Sequence, residues 1–202
     1  MKIRTASRHY NQTVRAQSSE ETARRIVDAF LDRLMKQWFD EITLDQVAKD
    51  AGVTVQTVVR RFGSKEGLLS IAVKTLAAQI LARRAGPSGD LKRLVDNLIQ
   101  DYEETGDAVI RLLALEPRHP ALKQFLDFGR SEHRRWVSTA LAEPLGKLND
   151  TTRKVALDAL VIVMDVYTWK LSRRDMGRSV AATAAMIQLL VQATLSEFTK
   201  SK

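Results

Sequence analysis

The stretch from Thr43 to Glu66, TLDQVAKDAGVTVQTVVRRFGSKE, constrains this chain more than any other. Thr43 and Gln46 stand at capping-box spacing, in which the hydroxyl accepts a first-turn N–H and the amide reaches back. Leu44, Val47 and Ala48 then share one helical face. Gly52 falls where a helix ends on a residue free to take positive φ. Val53 plugs the angle between two helices, and Thr54 caps the second. That second helix, about Val55 to Phe62, turns Val58 and Phe62 inward and leaves Val55, Gln56, Thr57, Val59, Arg60 and Arg61 on its other sides.

This is the grammar of a helix-turn-helix whose second helix is short enough to lie in a major groove. Gln56 suits adenine, Arg60 or Arg61 suits guanine, and Val55 or the Thr57 methyl suits a thymine methyl. The competing reading is an ordinary corner of two helices with a solvated outer face. Gly63-Ser64-Lys65-Glu66 weighs against it, because a new helix starts at once with Ser64 as cap and Lys65 in its first turn. A helix N-terminus suits a phosphate, and the lysine adds a full charge, so Lys65 is read as a backbone anchor.

Thr43, Val47, Ala48, Ala51, Gly52, Val53, Thr54, Thr57, Val58, Phe62, Ser64, Lys65, Glu66 and Leu68 together resemble the signature of TetR-family transcriptional regulators. The resemblance implies a DNA-binding head, a helical body that dimerises, and an effector held inside that body. Two positions depart from the pattern. Val59 stands where members usually carry an aromatic, most often a tyrosine that reaches a phosphate, and Gln56 stands where a glycine is frequent. The resemblance extends the DNA-binding set to Thr43, Thr54 and Val59, beside Val55, Gln56, Thr57, Arg60, Arg61 and Lys65, and it sets Thr22 or Arg25 near the DNA backbone.

The rest of the chain is consistent with an all-α protein. Among 202 residues, 45% are hydrophobic and only 4 are proline, so a core can be buried and helix is favoured. With no cysteine, a disulfide framework and thiolate metal sites are excluded, which fits a reducing cytoplasm. No signal-peptide pattern appears, and the expected location is cytoplasmic. The net charge of +8 suits an anionic partner. Residues 1–18 carry Lys2, Arg4, Arg8 and Arg15 with no acid, whereas acids and bases balance across residues 19–65. The segment 1–18 is therefore read as a basic flexible arm, lying along the duplex or simply solvated.

Residues 19–65 are assigned to the helix-turn-helix domain, opened by a helix of about 19–37 that a Ser18–Glu21 box would cap. Ile26, Val27, Phe30, Leu31 and Leu34 line its inner face. Trp38 and Phe39 are expected in the core. Residues 66–202 form the ligand-binding and dimerisation domain, entered through a linking helix of 66–86, and Gly86-Pro87-Ser88-Gly89 marks the boundary of head and body. Body helices are expected over about 90–102, 107–115 and from Pro120 onward, with a loop at 144–150 and two last helices over about 151–172 and 179–198. Residues 179–196 carry no charge, and Asp158 and Asp165, seven residues apart, share one side of the helix before. A helix without a charged side needs burial nearly all round. A homodimer through these two helices is the economical arrangement, and a monomeric bundle with two central helices is the alternative. Thr183, Gln188, Gln192 and Thr194 make the last helix too polar for a membrane span.

No catalytic constellation, P-loop or dinucleotide glycine pattern is present, and His9, His119 and His133 lack metal-pair spacing. Neither metal nor cofactor is expected, nor enzyme activity. Arg130, Arg134 and Arg135 are read as a solvated face. A pocket in the helical body would be lined from Tyr102, Arg111, Phe125, Trp136, Met164, Asp165, Tyr167 and Trp169, although core packing is the stronger reading of each aromatic. The chain therefore reads as a ligand-responsive repressor that binds double-stranded operator DNA of palindromic sequence as a homodimer. Alternatives are a helical ligand-binding or interaction protein that does not read DNA specifically, and a cofactor-free enzyme in the body.

Overall fold

The structure, a computed structural model, describes residues 4–84 and 90–200, with side chains over 17–84 and 90–198. Every regular element among these is helical. The chain divides into two compact units, a head of Met1–Lys74 and a body of Thr75–Lys202. The division falls inside helix α4 (Lys65–Arg84). The Gly86–Gly89 cluster, where the sequence reading set the boundary, lies outside the described residues.

In the head, α1 runs Arg4–Leu34, α2 Leu44–Asp50 and α3 Val55–Phe62, with a 3-10 turn at Phe39–Glu41 between the first two. Ile26, Phe30 and Leu34 of α1 are enclosed with Phe39, Ile42, Val47, Val58, Leu68 and Leu69. Two expectations change here. The helix starts at Arg4 rather than at about Ser19, so the basic segment is helical from Arg4 onward and Ser18 opens nothing. No proline or glycine interrupts residues 4–18, and a helix already nucleated downstream propagates through such a run; residues 1–3 lie outside the described set. Trp38 is exposed while Phe39 is buried, because the 3-10 turn begins between them and rotates one ring outward.

The body is built on α5 (Leu91–Leu115), α6 (Pro120–Ala140), a short α7 (Ala142–Gly146), α8 (Asp150–Val163), α9 (Val166–Lys170), a π-helical turn at Leu171–Asp175 and α10 (Val180–Lys200). Its core joins Val95, Leu98, Ile99 and Tyr102 of α5 with Trp136, Val137, Leu160, Met164, Trp169, Ile187 and Val191. α5 is one helix where the sequence suggested a break between 102 and 107. Gly106 is buried within it. The loop expected at 144–150 is partly helical: α7 runs to Gly146, with Pro144 inside its single turn, and α8 begins at Asp150. The segment 151–172 is interrupted at Met164–Asp165. The Asp165 carboxylate accepts the Tyr167 N–H at 2.9 Å and caps a fresh helix. Asp158 and Asp165 thus do not share one straight helix, and Asp158 instead pairs with Arg134 at 2.5 Å. Arg130 and Arg135 are likewise paired, with Glu116 and Glu132.

Gly106 owes its place to contact. A Cβ there would stand 2.5 Å from the Trp169 ring, whereas one at Gly129 of α6 would meet nothing within 4 Å. Trp169 is fully enclosed and cannot swing away. The same substitution should therefore act in opposite directions. Gly129→Ala should raise stability by about 0.5–1 kcal/mol through helix propensity. Gly106→Ala should lower it by about 1–2 kcal/mol, overpacking outweighing that gain. Urea unfolding of the two variants checks the pair.

Candidate functional site

The turn between α2 and α3 is fixed by backbone chemistry. The Gln46 N–H donates to Thr43 Oγ1 at 3.3 Å and the Thr43 N–H donates to Gln46 Oε1 at 2.9 Å, completing the expected box. At the other end of α2, Gly52 takes φ +64°, and the Val53 N–H closes on the Ala48 carbonyl at 2.9 Å. A side chain at Gly52 would be strained in that left-handed conformation. Thr54 then caps α3, its Oγ1 accepting the Thr57 N–H at 3.3 Å, and Gly63 at φ +75° ends the helix. Arg33 of α1 donates to Asp50 at 2.6 Å across this corner, and that hydrogen bond holds the Asp50 carboxyl below its ordinary range.

With α3 held this way, its side chains sort themselves. Val58 is fully buried, and Phe62 is half-buried rather than enclosed. Gln56, Val59 and Arg60 are exposed, with Val55 and Thr57 half-buried beside them. Thr43 and Thr54 are exposed caps.

Two residues assigned to DNA have other occupations. Arg61 lies three residues after Val58, hence on the inner side of the helix, and its Nη2 donates to Ser19 Oγ at 2.7 Å. Of the two arginines, Arg60 is the exposed one. The Lys65 ammonium donates to the carbonyl oxygens of Phe39 and Ile42 at 3.0 Å each and of Asp40 at 3.4 Å, and sits 4.5 Å from the Phe39 ring centroid. It seals the end of the 3-10 turn instead of reaching outward. Nothing local in the sequence distinguishes a lysine aimed at phosphate from one folded back on carbonyls 23 to 26 residues earlier. Of the two residues that the resemblance sets near the DNA backbone, Arg25 is exposed and the Thr22 hydroxyl donates to the Ser18 carbonyl at 2.8 Å.

The profile described as "Bacterial regulatory proteins, tetR family" matches residues 26–71, which span this corner and the helices that brace it. Over these residues the head is similar to the TetR family. Its fold agrees with that of a tetR-family transcriptional regulator from Streptomyces coelicolor, at 17% identity and a TM-score of 0.70 over 87% of this chain and 79% of that one. It also agrees with a transcriptional regulator from a Rhodococcus species, at 16% identity and 0.68 over 87% and 96%. A TetR transcription regulator from Haloarcula marismortui gives 13% identity and 0.62 over 89% and 98%. Among curated proteins, none matches the chain's sequence. At such identities the likeness is one of fold.

A groove of about 640 Å³ flanks the corner of this head, between α1 and the end of α2, lined by Arg25, Asp28, Asp32, Arg33, Lys36 and Asp50 among others. Its charges balance, so it offers an anion no net attraction.

The residues expected to line a pocket in the body are mostly packing and capping groups. Tyr102 is buried, its hydroxyl donating at 2.9 Å to the Met164 carbonyl, one of those freed where α8 ends. Burial pushes the phenol above its ordinary range. Trp169 donates from Nε1 to Glu103 at 2.7 Å, and Arg173 holds that carboxyl below its usual range. Met164 is enclosed, Asp165 is the α9 cap with its carboxyl pushed up by desolvation, and Tyr167 is exposed on the outside. Phe125 and Arg111 are half-buried, and Trp136 is buried.

Sequence reasoning missed what Trp136 packs against. Asp101, fully buried, accepts from Arg84 Nε and Nη2 at 2.9 and 2.6 Å and from Arg83 Nη2 at 2.5 Å. The Arg84 guanidinium lies 5.1 Å from the Tyr102 ring and 4.9 Å from that of Trp136, with His133 Nδ1 at 3.4 Å. The signal was present: Asp101 interrupts the apolar stripe of α5 at Leu94, Leu98 and Thr105 spacing, and a charge in such a place needs a partner.

Two measurements follow. Lys65→Ala should destabilise the head by about 1.5–3 kcal/mol, the value of charge-assisted bonds to buried carbonyls, seen as a lower thermal midpoint without DNA. His133, desolvated and repelled by Arg84, has its pKa lowered to about 4, while unfolded it returns to 6.5. The unfolded chain therefore binds this proton first, and stability present above 6.5 is lost as pH falls through 6.5 toward 4, by about 3 kcal/mol in all. Denaturant unfolding between pH 7 and 4 should show a steeper loss for the wild type than for His133→Gln.

Proposed function

We propose that this chain regulates transcription in the cytoplasm by binding a palindromic operator as a homodimer, acting as a repressor that a small molecule releases. The observation that carries the reading is the presentation of Gln56 and Arg60 outward from a helix capped at Thr54 and fixed behind the Gly52 turn. These are donors and acceptors on a rigid rod of groove size, the combination that base edges require.

The dimer is supported by where apolar surface remains. α10 buries one stripe, Thr183, Ile187 and Val191, against the body, and leaves Leu189 63% and Ile162 of α8 68% exposed. Val155, Leu171, Met176 and Val180 add to that exposed surface. The segment Val180–Phe198 is long and apolar enough to cross a membrane by composition, and only 22% of it is buried. A second copy covers such a face and can pair the Gln192 amide, which lipid cannot; the Thr194 hydroxyl is bound within the helix, to the Leu190 carbonyl at 2.8 Å. A twofold pair would set the two α3 helices about 34–36 Å apart, or a multiple, which is one turn of duplex. For the effector, the support is the resemblance of the head to TetR-family regulators, which implies a small molecule held in the helical body. Release would follow from its differential affinity for two head spacings.

Selection from random duplexes at physiological salt tests the reading. The wild type should enrich an inverted repeat. Arg60→Ala should lose about 1–3 kcal/mol of preference at one base pair per half-site, and Arg61→Ala should weaken all sequences alike. Ile162→Lys with Leu189→Lys should sediment as a monomer and bind the selected site far more weakly. Wild type that sediments as a monomer, or binds selected and random duplexes equally, overturns the proposal.

A further inference from the structure

The outer side of α3 carries two parallel stripes. Gln56 and Arg60, four residues apart and both exposed, make a polar one. Val55 and Val59, also four apart, make an apolar one beside it, with Val59 43% exposed. No other side chain of the helix competes for that side: Val58 is enclosed, Arg61 is bound to Ser19, and the Thr57 hydroxyl lies 3.0 Å from that of Thr54. Val59 adds little to the core at such exposure, and a β-branched residue does not favour helix. A lone exposed valine is ordinary on a protein surface. This one shares the face that bears the hydrogen-bonding pair, within one residue of Arg60.

The major groove offers nitrogen and oxygen atoms at every base pair and a single kind of apolar group, the C5 methyl of thymine. In an A·T pair the methyl lies at one end of the same edge whose other end presents the adenine N6 and N7. A helix with a polar stripe beside an apolar one matches that edge. We infer that Val59 is a specificity-determining residue that reads a thymine methyl in each half-site, next to the base pair engaged by Arg60. Val55 extends the apolar contact by about 6 Å along the helix. This rests on the DNA reading proposed above and goes beyond it by naming the base. Apolar contact with a phosphate would gain nothing, so the methyl is the groove feature that rewards this side chain.

The test uses the full-length chain and the inverted repeat it selects. Each thymine in turn is replaced by deoxyuridine, which removes the methyl and leaves pairing and O4 unchanged. At one thymine per half-site the replacement should weaken wild-type binding about three- to fivefold, the effect of one buried methyl. Val59→Ala should bind thymine and deoxyuridine duplexes equally there, while keeping the preference that Arg60 confers. If no thymine is sensitive, or Val59→Ala is as sensitive as the wild type, the inference falls and the DNA reading stands. If no repeat is selected at all, the DNA reading itself falls and takes the inference with it.

Discussion

The burial of Val58 governs the head. An α-helix of two turns has room for one inward residue and its neighbours three and four positions away, and α3 spends these on Val58, Phe62 and Arg61. What remains outward follows by geometry: a Gln56–Arg60 stripe and a Val55–Val59 stripe. The Gly52 turn and the Thr54 cap matter because they fix the rotation of α3 about its axis, and a rotation by one residue would exchange readers for packers. Arg33 on Asp50 and Arg61 on Ser19 fasten α2 and α3 to two points of α1, its C-terminal turn and its middle. Cations that look available in the sequence are thus structural.

In the body the comparable constraint is a buried carboxylate. Asp101 gives up water only because two guanidinium groups surround it, and the aromatic faces of Tyr102 and Trp136 cover the outer side of Arg84. His133 completes this shell as a neutral group, since a second cation beside Arg84 would be repelled in a site that has already lost its water. A second set of pairs, Glu103 with Arg173 and Asp107 with Arg174, holds the π-helical turn against α5 with the Trp169 ring between them. These contacts make the interior rigid, so that the apolar faces of α8 and α10 are presented on a firm support.

The legible parts of the molecule were those encoded locally. The Thr43–Gln46 box, the glycine with positive φ, the Thr54 cap and the limits of α3 came from spacing alone, because each involves residues within four of one another. The break at Met164–Asp165 went unread because an aspartate within an apolar run is compatible with both a helix side and a cap. The first half of α1, Arg4 to Ser18, went unread because its apolar periodicity is low, although the run holds no residue that stops a helix.

What the sequence by itself determined is the all-helical class, the corner from Thr43 to Phe62 and its family resemblance, since hydrogen bonds within one or two turns are settled by neighbours in the chain. Only the tertiary structure decided the employment of the charges. Lys65 folds back on carbonyls of the 3-10 turn, Arg61 reaches Ser19, and Arg83 with Arg84 neutralises Asp101. A long cationic side chain has many partners within reach. Which of them it meets depends on how distant segments pack, and no local pattern carries that information.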